Sequence, residues 1–207
     1  MFVSLGFIFG YLIGSFPTAY IFVKKKAMLD IRTAGSGNIG ARNALDVTGS
    51  KLVGVLVLLI DLCKGGCAVA VAAICFGNEF WTMGIAGVGA VLGHNFSPWM
   101  KFKGGRGLAT SAGVMIILGW MFIVLWLAIY FISQIVVKHV HIASIIASLV
   151  SPFLILLIPE SYAGSILVVP GRIVDVFTLS AMFSAIILIR HIGPMKTIIQ
   201  SSITKQT

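Results

Sequence analysis

The feature that most limits what this chain can fold into is an apolar run of about 20 residues that recurs along all 207 positions. As a helix rising 1.5 Å per residue, such a run matches the roughly 30 Å hydrocarbon core of a bilayer. Only 10% of the residues are charged and 58% are hydrophobic, whereas a water-soluble domain of this length needs about 25% charged residues. The chain therefore reads as an all-α, polytopic membrane helix bundle. Residues 1–207 form a single integral membrane domain with no separate soluble part and no internal repeat. The apolar segments continue to the C-terminus, so one secretory signal peptide does not explain them.

The formal charge of +9 could indicate nucleic acid, but the cations fall in short loops between spans, where Lys and Arg excess marks the cytoplasmic side. The first span, "FVSLGFIFGYLIGSFPTAYIFV", closes on Lys24, Lys25 and Lys26, which puts the N-terminus outside. A second span runs from about Leu52 to Phe76 and a short third from about Trp81 to Leu92. Residues 108–137 would measure about 45 Å as one helix, so they divide into two short spans near Gly119 and Trp120. A sixth runs from about Ile142 to Ile158. The seventh, from about Ile173 to Ile189, delivers Arg190, Lys196 and Lys205 inside. Seven spans, N-out and C-in, place all but two of the 15 cations on the cytoplasmic side, Arg172 and Lys64 being the exceptions. An even number would strand one of the terminal lysine groups outside.

Three polar islands then open on the cytoplasmic face. In "AGSGNIGARNALDVTG", residues 34–49, glycines permit exposed successive amides that run into a helix N-terminus, an anion-binding arrangement. Ser36 and Asn38 add neutral donors and Arg42 a cation. A flexible linker is the plainer reading, but linkers seldom alternate Gly with Ser and Asn so tightly. In "GHNFSPWMKFKGGRGLAT", Gly104, Gly105 and Gly107 lie among Lys101, Lys103 and Arg106. A membrane anchor would need the charge but not the glycines. His94 reads equally as an acid–base or phosphate-donor group and as a structural interfacial histidine. The third island combines His139, His141 and Ser144 with His191, of which His191, beside Arg190, is the stronger functional candidate.

Two cytoplasmic phosphate grips in a small helical membrane protein fit an enzyme that joins a water-soluble phosphate to a membrane-borne chain. The chain shows no acidic cluster for Mg²⁺–diphosphate chemistry, no His followed five residues later by Asp, no nucleophile-elbow Ser and no reactive-looking Cys. Asp61 and Lys64 share a helix face within the second span, where charges are normally paired or line a pathway; a structural ion pair is the expected role. Cys63, Cys67 and Cys75 read as small packing residues rather than a disulfide or metal site.

The segments "GSGNIGARNAL", "DLCKGG", "GHNFSPWMKFKGGRGLATS" and "HIASIIAS" resemble, in order, the signature segments of the acyl-phosphate:glycerol-3-phosphate acyltransferases, the PlsY type of bacterial inner membranes. The likeness runs from about residue 5 to residue 192. It implies seven spans and a cytoplasm-facing site in the bacterial plasma membrane. It also implies transfer of a fatty acyl group from acyl phosphate to the sn-1 hydroxyl of glycerol 3-phosphate, giving lysophosphatidic acid and phosphate for phospholipid biosynthesis. No cofactor or metal is implied. The expected partners are the two substrates, membrane lipids and a soluble acyl-phosphate-forming enzyme, with no nucleic acid. Acyl phosphate is already activated, so positioning and electrostatics suffice. On this reading Ser36, Gly37, Asn38 and Arg42 hold one phosphate while Asn43 orients the hydroxyl. Lys103, Gly104, Gly105 and Arg106 hold the other, with His94 nearby, and Ser144 and His191 complete the pocket. Ser36, Asn43, Lys103 and His191 form the catalytic set, and a donor phosphate oxygen accepts the hydroxyl proton.

Three departures from the family pattern involve four positions. Arg42 stands where Thr is usual and Asp46 where a cation is usual, two positions that share a helix face. Pro194 replaces an Asn, and Arg106 a Lys. These departures keep a second reading open, a paralogue that binds a lipid phosphate with altered or no turnover. A small anion transporter would need polar residues through to the outer face or inverted repeats; the short, nearly uncharged outer loops speak against it.

Overall fold

In the computed structural model, which describes residues 2–204 (backbone alone at 197, 199 and 201–204), the apolar runs form helices, several of which end at Gly or polar residues. They are α1 (Phe2–Gly14), α2 (Thr18–Ala27), α3 (Ala41–Thr48), α4 (Lys51–Phe76), α5 (Phe80–Asn95), α6 (Leu108–Leu118), α7 (Met121–Val137), α8 (Val140–Ile155), α9 (Ala163–Ile166) and α10 (Ile173–Thr204). Among the described residues the only strand-like pairing is a single bridge between Ser97 and Lys103. Lys205 lies outside the described residues.

Three helical stretches are long and apolar enough to cross a membrane: Phe2–Ala27, Lys51–Phe76 and Ile173–Lys196. A fourth is reached if α8 and the segment Glu160–Ile166, bent 100° from it, count as one broken span. Helices α6 and α7 are shorter apolar pieces, and the break between them falls at Gly119–Trp120, where the length argument requires it. Large apolar side chains such as Leu52, Ile74, Ile135 and Leu157 point outward, as in a protein whose solvent is lipid.

The first stretch is not one straight helix. It breaks at Ser15–Phe16–Pro17, because Pro17 has no N–H and disfavours the helical conformation of its predecessor. The carbonyls released there are taken by distant side chains: Ser97 Oγ donates to Ser15 O at 2.7 Å and Lys64 Nζ to Phe16 O at 3.2 Å. The polar segment 34–49 runs into the two-turn helix α3, which puts Arg42 and Asp46 on one helix face as expected. The three cysteines are exposed on the outer face of α4 rather than packed inside it, a correction that follows from the inner face being occupied by Asp61, Lys64 and small residues.

Small residues set the helix spacing. Gly10 and Gly14 of α1 lie on the backbone of α5 at Ala86 and Ala90, and Gly89 and Gly93 of α5 lie on Phe7 and Tyr11. Gly65 and Gly113 do the same between α4 and α6. Such close approach provides dispersion contact where lipid leaves no hydrophobic drive between helices. A main core of α4, α5, α6, α7, α8 and α10 residues centres on Met115, Leu118, Leu179 and Phe183. A smaller cluster, Val23, Ile31, Ile39, Ala44 and Val57 among them, underlies the 28–40 loop and gives that glycine-rich segment a fixed floor.

A Gly10→Leu variant should lose about 2 kcal/mol of stability, since added volume has no space to enter, and its apparent melting temperature in detergent should fall by several degrees. Gly164, with nothing within 4 Å of a built β-carbon, serves as the control: Gly164→Leu should melt like the parent protein.

Candidate active site

The first island is a rigid loop held from behind. Asp30 and Arg32 form a bidentate pair at 2.6 and 2.9 Å, and the guanidinium holds the Asp30 carboxyl down to about 2. The loop then turns through Gly35 and Gly37, the latter at φ +68°. Asn43, buried on α3, organises everything above it. Its Oδ1 accepts from the Ser36 N–H at 2.9 Å, and its Nδ2 donates to Ala34 O and Asn38 O, each at 3.0 Å. The side chain expected to orient a substrate hydroxyl is thus fully used on the loop backbone and is a positioning residue. Ser36 is exposed at the crest of the loop.

The second island is held by a cation that the motif pattern did not single out. Arg190 of α10 donates from Nη2 to Gly104 O at 2.8 Å and from Nε to Gly105 O at 3.0 Å, and its guanidinium lies 5.3 Å above the Phe96 ring. Gly104 and Gly105 are buried. A β-carbon at 104 would strike the His94 and Asn95 backbone, and one at 105 the His94 imidazole. The Gly105 amide itself donates to His94 O at 3.1 Å. These glycines therefore permit close approach between segments, and the Gly105 amide is spent inside the protein. Gly107, at φ +82°, starts α6 with no side-chain cap.

What the two islands do share is a pair of clefts. One, of about 220 Å³, is lined by Asn38, Gly40, Ala41 and Arg42 on one side and by Arg106, Gly107, Leu108 and Ala109 on the other, with Asp61 and His94 at its base. The N-termini of α3 and α6, both without side-chain caps, thus open on the same space. Uncapped N-termini carry unpaired amides and the positive ends of helix dipoles, so the cleft is suited to an anion. The adjoining cleft, about 250 Å³, is lined by Ser36, Gly37, Asn38, Arg106, Arg190 and Pro194, among others. Asn38 and Arg106 line both. Burial and the neighbouring Arg190 charge both push the Arg106 guanidinium down from its ordinary value. Since arginine stays protonated in proteins, an anion placed between these cations relieves a repulsion already present.

The remaining expected residues divide. Arg42 lines the first cleft, but it pairs with Asp46 at 3.1 Å, their side chains 77% and 52% exposed; the cation has been offset by the carboxylate one turn on. His94 is buried with its Nδ1 3.7 Å from Asp61, whose carboxylate bonds Lys64 at 2.8 Å. The intramembrane charges do form the expected ion pair, and they lie directly beneath the cleft. Lys103 is exposed and lines a separate, water-sized cavity of about 10 Å³ with Asp61, Lys64 and His94. Ser144 and His191 line neither cleft. The Ser144 hydroxyl donates to Val140 O at 2.8 Å. His191 Nδ1 lies 2.8 Å from Ile187 O, while its Nε2 is buried with no hydrogen-bond partner. The His191, His141 and His139 rings follow one another at 5.8 and 5.5 Å.

Comparison with known proteins decides the relationship. A family model described as glycerol-3-phosphate acyltransferase matches residues 4–201. The chain belongs to that family. It is 38% identical over 174 residues to the glycerol-3-phosphate acyltransferase of Mesorhizobium japonicum, covering 82% of this chain and 85% of the relative. It is 40% identical over 145 residues to that of Brucella anthropi, covering 70% of each. The fold matches the crystal structure of PlsY, an integral membrane glycerol 3-phosphate acyltransferase, in its glycerol 3-phosphate form. The TM-score is 0.78 at 28% identity, over 96% of this chain and 92% of that one. The lysophosphatidic acid form matches at a TM-score of 0.77 and 27% identity, with the same coverage. This chain is therefore a bacterial-type membrane acyltransferase, as its ordered motifs indicate.

Asn43→Ala should leave three loop groups without their buried partner, at about 1–3 kcal/mol for the group that stays desolvated. Protease cleavage within residues 33–40 in membrane vesicles should then become markedly faster than in the parent. Asn43→Asp should behave the same way, because a carboxylate accepts from Ser36 but cannot donate to Ala34 and Asn38.

Proposed function

We propose that this protein transfers a fatty acyl group from acyl phosphate to the sn-1 hydroxyl of glycerol 3-phosphate, at a site facing the cytoplasm of a bacterial inner membrane. The observation that carries this reading is the meeting of two uncapped helix N-termini, Asn38 and Arg106 in one cleft, beside a second cleft flanked by Arg106 and Arg190. Two adjoining anion positions suit a reaction with two phosphorylated substrates. The positive-inside pattern supports seven crossings with the N-terminus outside, α5, α6 and α7 being short crossings. A soluble enzyme that forms acyl phosphate is the expected supplier.

In the reaction the sn-1 oxygen attacks the acyl carbonyl and the carbon–oxygen bond to phosphate breaks. Phosphate leaves with the bonding electrons, and one of its oxygens takes the hydroxyl proton. Atoms and charge balance without a covalent enzyme intermediate, so the protein's task is positioning and stabilisation of negative charge. Ser36, Gly37 and Asn38 hold one phosphate with Arg106 and Arg190. The amides that begin α3 and α6, with Arg42, hold the other. Lys103 supplies further positive charge from the hinge. Ser144 and His191 support the wall behind Arg106, and a neutral His191 that donates from Nδ1 to Ile187 O keeps Nε2 as an acceptor. The paralogue reading retains one specific support, the Arg42–Asp46 pair.

Turnover by the detergent-purified protein should require acyl phosphate and fail with acyl-CoA, releasing one inorganic phosphate per lysophosphatidic acid formed. Ser36→Ala and Lys103→Ala should each reduce kcat/KM about a hundredfold, the scale for losing one preorganised oxyanion donor. Near-parent rates in both would overturn these assignments, and absence of turnover by the parent protein would favour the paralogue.

A further inference from the structure

Beside the anion cleft lies a groove of about 180 Å³ whose lining is almost wholly apolar. The two share Leu58, Leu108 and Ala109, so a molecule with its phosphate at the N-terminus of α6 has its nearest apolar space here. On the reading above this groove takes the donor's acyl chain, and we propose that Phe122 and Trp126 set the longest chain it accepts. The proposal rests on the acyl-phosphate reading above.

The geometry gives the groove a definite far end. Helix α6 has 11 residues and rises about 15 Å, half the roughly 30 Å hydrocarbon thickness. The chain then turns at Gly119, whose carbonyl accepts from the Phe122 N–H at 3.1 Å. Phe122 is thus on the first turn of α7, at the opposite end of α6 from the anion cleft. It lines the groove and is only 4% exposed, packed into the main core. Trp126, one turn further along the same face of α7, forms the wall. Its indole N–H donates to Ser148 Oγ of α8 at 3.1 Å, and its ring stacks on Tyr130 at 5.2 Å with 9° between planes. A hydrogen bond on one edge and a stacked ring on one face hold the indole in place. It is therefore a fixed stop, not a side chain that swings aside for a longer chain.

Each further methylene that enters the groove gains the free energy of leaving water or headgroups, and each that does not fit loses it. Two methylenes correspond to roughly a tenfold change in kcat/KM. The test is a chain-length series of acyl phosphates, from about ten to eighteen carbons, assayed with glycerol 3-phosphate in detergent. Phe122→Ala and Trp126→Ala should extend the accepted range, raising kcat/KM about tenfold for the first length that the parent rejects. Ala112→Phe, which fills the groove from α6, should shorten the range by a similar factor. Loss of a core side chain can destabilise the fold and lower rates at every length equally, but it does not move the profile. If Phe122→Ala unfolds, Trp126→Phe, which trims the stop but keeps a ring, should still lengthen the range, and Ala112→Phe, which removes no side chain, should still shorten it. Unchanged profiles in variants that turn over at near-parent rates would overturn the proposal while leaving the acyl-phosphate reading standing. Failure of the parent protein with every acyl phosphate would overturn that reading and this inference with it.

Discussion

A backbone that leaves the helical path within an apolar layer must find partners for its freed carbonyls and amides, because the surroundings offer none. The candidate site of this protein stands where that requirement is met by side chains from far along the sequence. Ser97 and Lys64 take the carbonyls of Ser15 and Phe16. Tyr11 donates to Phe96 O at 2.6 Å, and Arg190 takes the carbonyls of Gly104 and Gly105. Each bond joins segments more than 45 residues apart. Together they tie α1, α4, α10 and the 96–107 hinge into one frame, and the clefts are the spaces left between these parts.

The buried ion pair belongs to the same frame. Removing one partner of such a pair leaves an uncompensated charge, and the cost exceeds what the intact pair contributes. Lys64 is satisfied by Asp61 and by Phe16 O, and Asp61 reaches toward His94 beneath the cleft. The pair therefore fixes the floor of an electropositive site without adding net charge to it. That leaves the positive potential of the two clefts to Arg106, which lines both, to Arg190 in the second and to the two helix N-termini in the first. On the proposed reading, a protein that binds two phosphates has reason to keep its structural cation neutralised and its binding cations free of carboxylates, and Arg42, paired with Asp46, departs from this rule.

The sequence made the architecture legible where the physics is local. Apolar length marked the helices, glycine and proline marked most of their ends, and the 108–137 length argument placed the α6–α7 break at Gly119. Its glycines and cations put segments 34–49 and 101–113 on one face, while their joining in a single site was implied by the family resemblance. The sequence could not show which way those groups face. Glycines that wrap an anion and glycines that let two backbones touch look alike in a sequence; only the fold shows that Gly104 and Gly105 lie against His94 and Asn95. The same holds for Asn43, whose three loop partners converge only in the fold, and for Arg190, which the sequence placed at a span end as one more positive-inside charge. The Pro17 break is readable from proline alone, but the apolar run across it is unbroken and so reads as one span.

One geometric consequence connects the polar and apolar halves of the site. Leu108 and Ala109 belong to both the anion cleft and the apolar groove, and they are the first two residues of α6. Their backbone amides face the end that attracts negative charge, while their side chains begin the surface that attracts hydrocarbon. On the proposed reading, a substrate that is an anion joined to a fatty chain would enter in one orientation, with its junction at the start of α6. That junction in an acyl phosphate is the reactive carbonyl. The helix N-terminus that orients the molecule is then also the positive dipole end nearest the oxygen on which charge develops, so orientation and stabilisation arise from the same few atoms.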